Sequence, residues 1–431
     1  MRTRLSSTFQ ALRNRNYRLF ISGQLIKLIG VWMMFIAQDW LVLELSEDSA
    51  TALGVVTALQ FTPVLLLTLL SGRLADRYDK RLLLLIANAA WSVLALAMSL
   101  LVVTGLVQLW HVFVFAALLG TANAVETPVR QAFVSELVGT KVLPSALSLA
   151  AATFNTARIV GPAVAGIAIA AFDVGPVFLV SAVGSLAPLW GLGRVRVAEL
   201  HRDDLTEARG RAAARVVDGL RYVARRPDLL LPMVLMLVVG MSLFNFQITL
   251  AALAKTTFDT GAASFGLFTT ALAVGSLIGA LASGARRSRP SAYLVLGAAL
   301  TAGAFGTLVG LAPTYWLVLG LLPIAGFWMV FFAQAANQRL QLGVDASFRG
   351  RVMALWTLVF LGTNPVGAPV IGWIAERHGA GTAIWIGGAI SMAAAGVALA
   401  WQLHRTGSRI RLRILPVPRF YVVPSDAWRS P

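Results

Sequence analysis

Apolar runs of about 20 residues or more recur along nearly the whole chain, separated by short polar breaks. They cover 17–45, 51–71, 82–104, 108–129, 146–172 and 174–193. A polar stretch at 194–226 interrupts them, and six more follow at 228–255, 261–284, 291–312, 315–340, 350–376 and 380–403. A helix of about 20 apolar residues crosses the hydrocarbon core of a bilayer. Backbone exposed to lipid must satisfy its own hydrogen bonds, which leaves helices or a closed barrel. The runs are rich in Leu, Ala and Val and do not alternate with polar residues, which excludes a barrel. The pattern predicts an all-α polytopic membrane protein with twelve transmembrane helices in two six-helix bundles. Residues 1–193 form the N-terminal bundle, 194–226 a cytoplasmic linker, 227–403 the C-terminal bundle and 404–431 a basic cytoplasmic tail.

Composition agrees with this reading. Of 431 residues, 58% are hydrophobic, more than a soluble domain of this length carries. Net charge is +17, a value that in a soluble protein would suggest nucleic acid. Its distribution gives another cause. With the N-terminus inside, 32 of the 36 Lys and Arg fall on cytoplasmic segments. Only Lys255 and Arg377 lie outside, and Lys27 and Arg158 lie within spans. The positive-inside rule therefore places both termini in the cytoplasm, and no nucleic-acid partner is needed to explain the charge. The basic start, residues 1–16, reads as an interfacial helix or leader and not as a cleaved signal peptide. The tail, with five arginines between Arg405 and Arg419, reads as a loose segment against anionic headgroups.

The halves read as weak repeats. Gly161-Pro162-Ala163-Val164-Ala165-Gly166 is echoed by Gly367-Ala368-Pro369-Val370-Ile371-Gly372. Ser71-Gly72-Arg73 is echoed by Ser283-Gly284-Ala285, with Arg286, Arg287 and Arg289 following. Two parallel repeats imply a pseudo-two-fold axis along the membrane normal and a binding site between the halves. One polar loop stands out, Gly72-Arg73-Leu74-Ala75-Asp76-Arg77-Tyr78-Asp79-Lys80-Arg81. Its six charges cannot lie in hydrocarbon, so it marks a membrane surface.

This loop, with the six-plus-six arrangement, resembles the loop between helices 2 and 3 of the major facilitator superfamily. Three further stretches resemble the branch that includes bacterial enterobactin exporters and macrolide efflux proteins. They are Ala37-Gln38-Asp39-Trp40-Leu41, Glu126-Thr127-Pro128-Val129-Arg130 and Asn155-Thr156-Ala157-Arg158-Ile159-Val160-Gly161-Pro162. The last also resembles the span 5 element of drug:proton antiporters. The chain departs at Asp79, where the superfamily loop has Gly, and at Ala165, where the antiporter element has Gly. The resemblance implies a secondary transporter that alternates access, exports small amphiphilic compounds (drug or siderophore-like) and exchanges them for protons. It also implies a cytoplasmic gate motif of Gly72, Asp76, Arg77, Lys80 and Arg81, in which the acid helps hold the inner gate shut. The second copy, at Gly284–Arg289, has no acid, so the latch reads as one-sided.

The chemistry of the residues adds candidates. No Gly-rich phosphate loop is present, so energy must come from a gradient and no cofactor is expected. A carboxylate in a low-dielectric cavity can carry a proton. Asp39 lies well inside span 1, and reads either as the proton carrier or as a residue at the outer water interface. Glu126 and Arg130, four residues apart, can pair across one helical turn. Arg158 lies roughly 15–20 Å from the inner end of span 5. It reads as a counter-charge for Asp39, Glu126 or an anionic substrate, or as a fixed clamp between helices. Lys27 can snorkel to the surface.

Gly161, Pro162 and Gly166 permit a hinge or a tight seam. Trp32, Phe35, Phe244, Trp328 and Phe331, with Asn123, Asn155, Asn245 and Gln247, are candidates to line a central cavity. The four histidines are scattered, no metal spacing or catalytic triad is found, and no cysteine is present. These observations predict a monomeric transporter of the bacterial cytoplasmic membrane and not an enzyme. A nutrient importer of the same fold, and a non-transporting sensor or scaffold, remain the alternative readings.

Overall fold

Eleven helices among the described residues are long and apolar enough to cross a membrane. The longest, Leu109–Phe172, has 64 residues and would measure roughly 96 Å as one rod. It is two spans broken at Gly139, whose φ of 68° leaves the helical region. A side chain at Gly139 would be strained and would also press on the His201 ring. The twelve spans are α1 (Arg15–Leu45), α2 (Ala50–Arg77), α3 (Lys80–Val103), α4 (109–138), α5 (140–172) and α6 (Val174–Gly193). They continue with α7 (Pro227–Thr257), α8 (Ala262–Gly284), α9 (Ala292–Leu311), α10 (Tyr315–Gly343), α11 (Arg349–His378) and α12 (Ala380–Thr406). The computed structural model describes residues 9–201, 216–286, 288–345, 347–407, 409–413 and 419–423. At 68, 69, 72, 73, 75, 76, 216 and 217, and in 409–413 and 419–423, only the backbone is described.

Short polar caps turn the chain between spans. Asn14, Ser49, Asp79 and Ser291 each accept a hydrogen bond from a backbone N–H of the helix that follows. Asp173, at φ 72°, joins α5 to α6 and caps the latter. Large apolar side chains such as Leu66, Val93, Ile167, Leu281, Trp316 and Val397 remain exposed, as a lipid-facing surface requires.

The halves meet along two pairs of helices, α2 against α11 and α5 against α8. Both seams are made of small residues. A methyl group on Gly166 would stand 2.8 Å from the Ala262 carbonyl oxygen, and one on Gly266 would strike the Pro162 carbonyl. In the second seam a methyl on Gly54 would stand 2.6 Å from the Ala368 carbonyl, and one on Gly372 would strike that of Ala50. These backbones touch because the glycines have no side chain. The repeat seen in the sequence is therefore a repeat of contacts: Gly166 faces α8 as Gly372 faces α2.

Polar contacts between the halves are concentrated at the end of the bundle away from the chain termini. Lys255 Nζ lies 2.7 Å from Asp48 Oδ1. Glu376 accepts from Ser49 Oγ at 2.6 Å and from the Thr51 N–H at 2.8 Å. We call this the distal end and the other the terminal end.

Several expectations change. The charged stretch 72–81 is mostly helix: α2 runs on to Arg77 and α3 starts at Lys80, leaving Tyr78 and Asp79 as the connection. Leu, Ala and Arg are good helix formers, and a helix does not end where the hydrocarbon does. Likewise α4 continues to 138, past the expected end at 129. Of the linker, Val216–Ala224 is helical, and 202–215 lies outside the described residues. In the tail, Arg409–Arg413 pairs antiparallel with Arg419–Val423. The reading from charge missed the alternation Arg-Ile-Arg-Leu-Arg, a period-two strand signal. The rest of the tail after Arg413 lies outside the described residues apart from that second strand.

At the terminal end the N-terminal half is tied by buried charge. Lys80, on α3, pairs with Glu136, on α4, both nearly out of contact with solvent. Lys80→Met leaves a buried carboxylate without this cation and is expected to cost about 3 kcal/mol of stability. Adding Glu136→Leu should recover most of that loss. Thermal unfolding of the purified protein in detergent measures both variants; an equal loss in single and double variants would remove the pair from the account.

Candidate functional site

A cavity of about 640 Å³ opens between the two halves, a size suited to a drug-sized ligand. From the N-terminal half, Trp32, Phe35 and Asp39 of α1 and Phe154, Asn155 and Arg158 of α5 line it. From the C-terminal half, Phe244, Asn245 and Gln247 reach it from a break in α7. That helix stops at Leu243 and resumes at Phe246. Asn245 donates from Nδ2 to the Met241 carbonyl at 2.9 Å and so satisfies a group the break exposes. Broken helices at mid-membrane present polar backbone and side chains to a ligand without exposing them to lipid.

Asp39 is 5% exposed and accepts a hydrogen bond from Gln247 Nε2 at 2.7 Å. This bond crosses from one half to the other. Among the described residues Asp39 is the one carboxylate that lines the cavity. It is buried within the protein, and its neighbour Trp40 has a ring 5.4 Å from Nζ of Lys255, which pairs with Asp48.

Arg158 stands over the Trp32 ring, 5.8 Å from its centroid. Trp32 in turn meets Phe35 and Phe154 edge-on, at 5.7 and 5.9 Å. Gly161 makes this seat possible, since a Cβ there would come within 2.5 Å of the Trp32 Cβ. Of the expected hinge, Gly161 thus admits α1, while Pro162 and Gly166 face α8. Gly367, the counterpart of Gly161, admits α7 at the Met241 carbonyl in the same way.

Glu126 is placed elsewhere. It lies 3% exposed within the N-terminal half, 3.2 Å from Lys27 Nζ and 3.2 Å from Arg130 Nε. Lys27 does not reach the surface; it is 3% exposed and also lies 5.7 Å from the Trp91 ring. Asn123 belongs to this cluster and not to the cavity, because its Oδ1 accepts from Trp91 Nε1 at 3.3 Å. Trp328 and Phe331 pack with Phe327 in a triangle of rings on α10, and neither lines the cavity. Helical periodicity alone does not tell a cavity face from a packing face.

The gate motif is in part beyond view. The side chain of Asp76 is not among those described, so the latch on Asp76 is not placed. Arg77 is exposed, Lys80 pairs with Glu136, and Arg81 donates to the carbonyls of Leu192 and Gly193 at 2.8 and 3.1 Å. Its second copy is not without an acid. Arg289 lies 2.8 Å from Asp228, at the start of α7, and Arg226 lies 3.1 Å from the same carboxylate. The partner comes from another helix, so the local motif could not show it.

Sequence reasoning missed several lining residues. Thr57, Gln60 and Phe61 come from α2, Trp356, Phe360 and Asn364 from α11, and Asn337 from the end of α10. An amide-rich set on otherwise apolar spans was the available signal. Among the described residues no group of His, Asp and Glu is arranged to hold a metal.

Residues 6–416 match the family described as transmembrane secretion effector. The staphyloferrin A transporter of Staphylococcus aureus is 27% identical over 61% of this chain, and the match spans 66% of that protein, slightly less than two thirds. The multidrug efflux pump Tap of Mycolicibacterium fortuitum is 26% identical over 81% of this chain and 87% of its own. An enterobactin exporter, EntS of Escherichia coli, is 24% identical over 83% and 84%. Among solved structures, the nucleoside transporter NupG aligns at a TM-score of 0.66 with 13% identity, over 88% of this chain and 98% of that one. A bacterial homologue of the iron transporter ferroportin, inward-facing, aligns at 0.66 with 15% identity, over 90% and 98%. These structures share the fold. The chain therefore belongs to the transmembrane secretion effector family of major facilitator transporters, and it is a multi-pass membrane transporter and not an enzyme.

Proposed function

We propose that this protein exports small amphiphilic compounds from the bacterial cytoplasm, drug-like or siderophore-like, in exchange for protons. The relatives named for efflux and for siderophore transport support the direction and the substrate class. The distribution of Lys and Arg supports a cytoplasmic terminal end. On that orientation the distal seal is extracellular and the cavity faces inward. The protein alternates access by rocking one half against the other along the two glycine seams.

One observation carries the coupling: the Asp39 carboxylate lines the cavity and accepts a bond from Gln247 across the halves. The ionised carboxylate is acceptor-only, so the amide of Gln247 can donate to it. A proton on Asp39 removes the charge and weakens that bond. Proton occupancy thereby sets the strength of a contact that exists in one state and not in the other. In the inward state Asp39 releases its proton toward the cytoplasm and the cavity takes substrate. In the outward state the carboxylate takes a proton from outside as the substrate leaves. The protonated protein then returns inward.

Uptake into everted vesicles energised by respiration, where export appears as accumulation in the lumen, is expected to stop when an uncoupler collapses the proton gradient. Transport that survives full uncoupling sinks the antiport reading. Asp39→Asn should lower gradient-driven efflux by about tenfold or more while ligand binding persists; unchanged efflux removes Asp39 from the mechanism.

The distal seal makes a second prediction. The chain has no cysteine, so an introduced pair reports without background. Asp48→Cys with Lys255→Cys, joined by a short thiol cross-linker, should hold the distal end shut and stop transport. Cleaving the linker should restore it. Cross-linked protein that transports at the native rate would show that this end does not open.

A further inference from the structure

A guanidinium within a membrane span is costly unless something compensates it. Lys27 has Glu126, Lys80 has Glu136 and Lys255 has Asp48. Arg158 has no carboxylate within ion-pair distance and no hydrogen-bond acceptor among the described residues. Its recorded contact is the Trp32 ring, 5.8 Å away. That contact accepts no hydrogen bond in the plane of the group, so its five N–H donors, set in a fixed fork, are open to other partners. The group lines the cavity. Asp39 does not neutralise it. Trp32 and Asp39 are seven residues apart on α1, about 10 Å along the axis, and Asp39 already accepts from Gln247.

We propose that Arg158 is a specificity-determining residue that binds an anionic group of the transported compound, a carboxylate or a group of similar planar shape. The aromatic or apolar body of that compound lies against Trp32, Phe35 and Phe154. Three features favour this reading. A guanidinium and a carboxylate pair through two parallel hydrogen bonds, which fixes orientation as well as affinity. The Trp32 face and the edge-on rings beside it hold the guanidinium in place before the ligand arrives, so little is lost in ordering it. Gly161 is the residue that lets Trp32 reach this position, so α1 and α5 together build the seat. An anionic ligand fills the need of a half-buried cation without a carboxylate partner among the described residues, whereas a cationic drug would add a second positive charge beside it. This inference refines the substrate class of the central cavity proposed above, and it does not depend on proton coupling.

The test is equilibrium binding to the purified full-length protein in detergent, without a gradient, so its outcome is independent of whether transport is proton-driven. The probes are dansylglycine, which carries a carboxylate, and dansylglycinamide, its neutral match with the same ring system. Energy transfer from tryptophan to the dansyl group reads binding. The carboxylate is expected to bind about tenfold tighter than the amide, the scale of one charged hydrogen-bonded contact. Arg158→Gln should bring the two affinities to within about twofold of each other, and Arg158→Lys, which keeps the charge but not the fork, should retain part of the preference. Asp39→Asn removes a negative charge from the same cavity and should tighten carboxylate binding. Opposite signs for the two sites cannot both come from misfolding. Equal affinities in the native protein, a carboxylate that does not bind, or a preference kept by Arg158→Gln would each overturn the proposal.

Discussion

Two rows of glycines hold the halves of this protein together. Along α5 and α8, and again along α2 and α11, backbone meets backbone with no side chain between. In a bilayer no hydrophobic force drives helices together, since lipid tails are as apolar as leucine. Close van der Waals contact replaces it. The contact is specific, because a single methyl at Gly166 or Gly54 would strike a carbonyl across the seam. It is also smooth, with few interlocked side chains to pull apart. Polar bonds between the halves are few beside it, and those at the distal end can break one at a time.

Charge is distributed by the same logic. Lys80 with Glu136, and Arg289 and Arg226 with Asp228, lie near the terminal end and within one half each. They stiffen each half as a body. Asp48 with Lys255, Glu376 with the start of α2, and Asp39 with Gln247 lie between halves. They report on the state of the whole. On the proposed alternating access, a rigid-body motion of one half against the other would change the second set and spare the first. The cluster of Lys27, Glu126 and Arg130 is of the first kind, a neutralised core inside the N-terminal half.

The cavity joins both kinds of chemistry. Its walls are aromatic rings and side-chain amides, which accept many shapes. One acid and one base stand apart within it. The break in α7 brings Asn245 and Gln247 to the wall without lipid exposure, and Gln247 ties the acid to the other half. Among the described residues the base meets the Trp32 ring, and on the reading proposed above its N–H donors bind the ligand.

The sequence by itself determined the spans, their number and the repeat of the halves, and it carries the expectation of a cytoplasmic terminal end. Each of these is set by short-range properties: hydrophobic length, the side on which Lys and Arg fall, and the local spacing of Gly and Pro. The close approach of helices at 161–166 was legible for the same reason. What only the tertiary structure decided is which polar residue meets which. Arg289 finds its acid on α7, Asn123 turns to Trp91 and away from the cavity, and Lys27 reaches Glu126 instead of the surface. Trp328 and Phe331 pack with each other, while Trp356 and Phe360, on a helix far along the chain, face the ligand space. A helix shows its residues to every direction in turn, and the sequence records the order but not the neighbour. The neighbour depends on rotation and depth, and these are fixed by how the glycine seams bring one helix against the next.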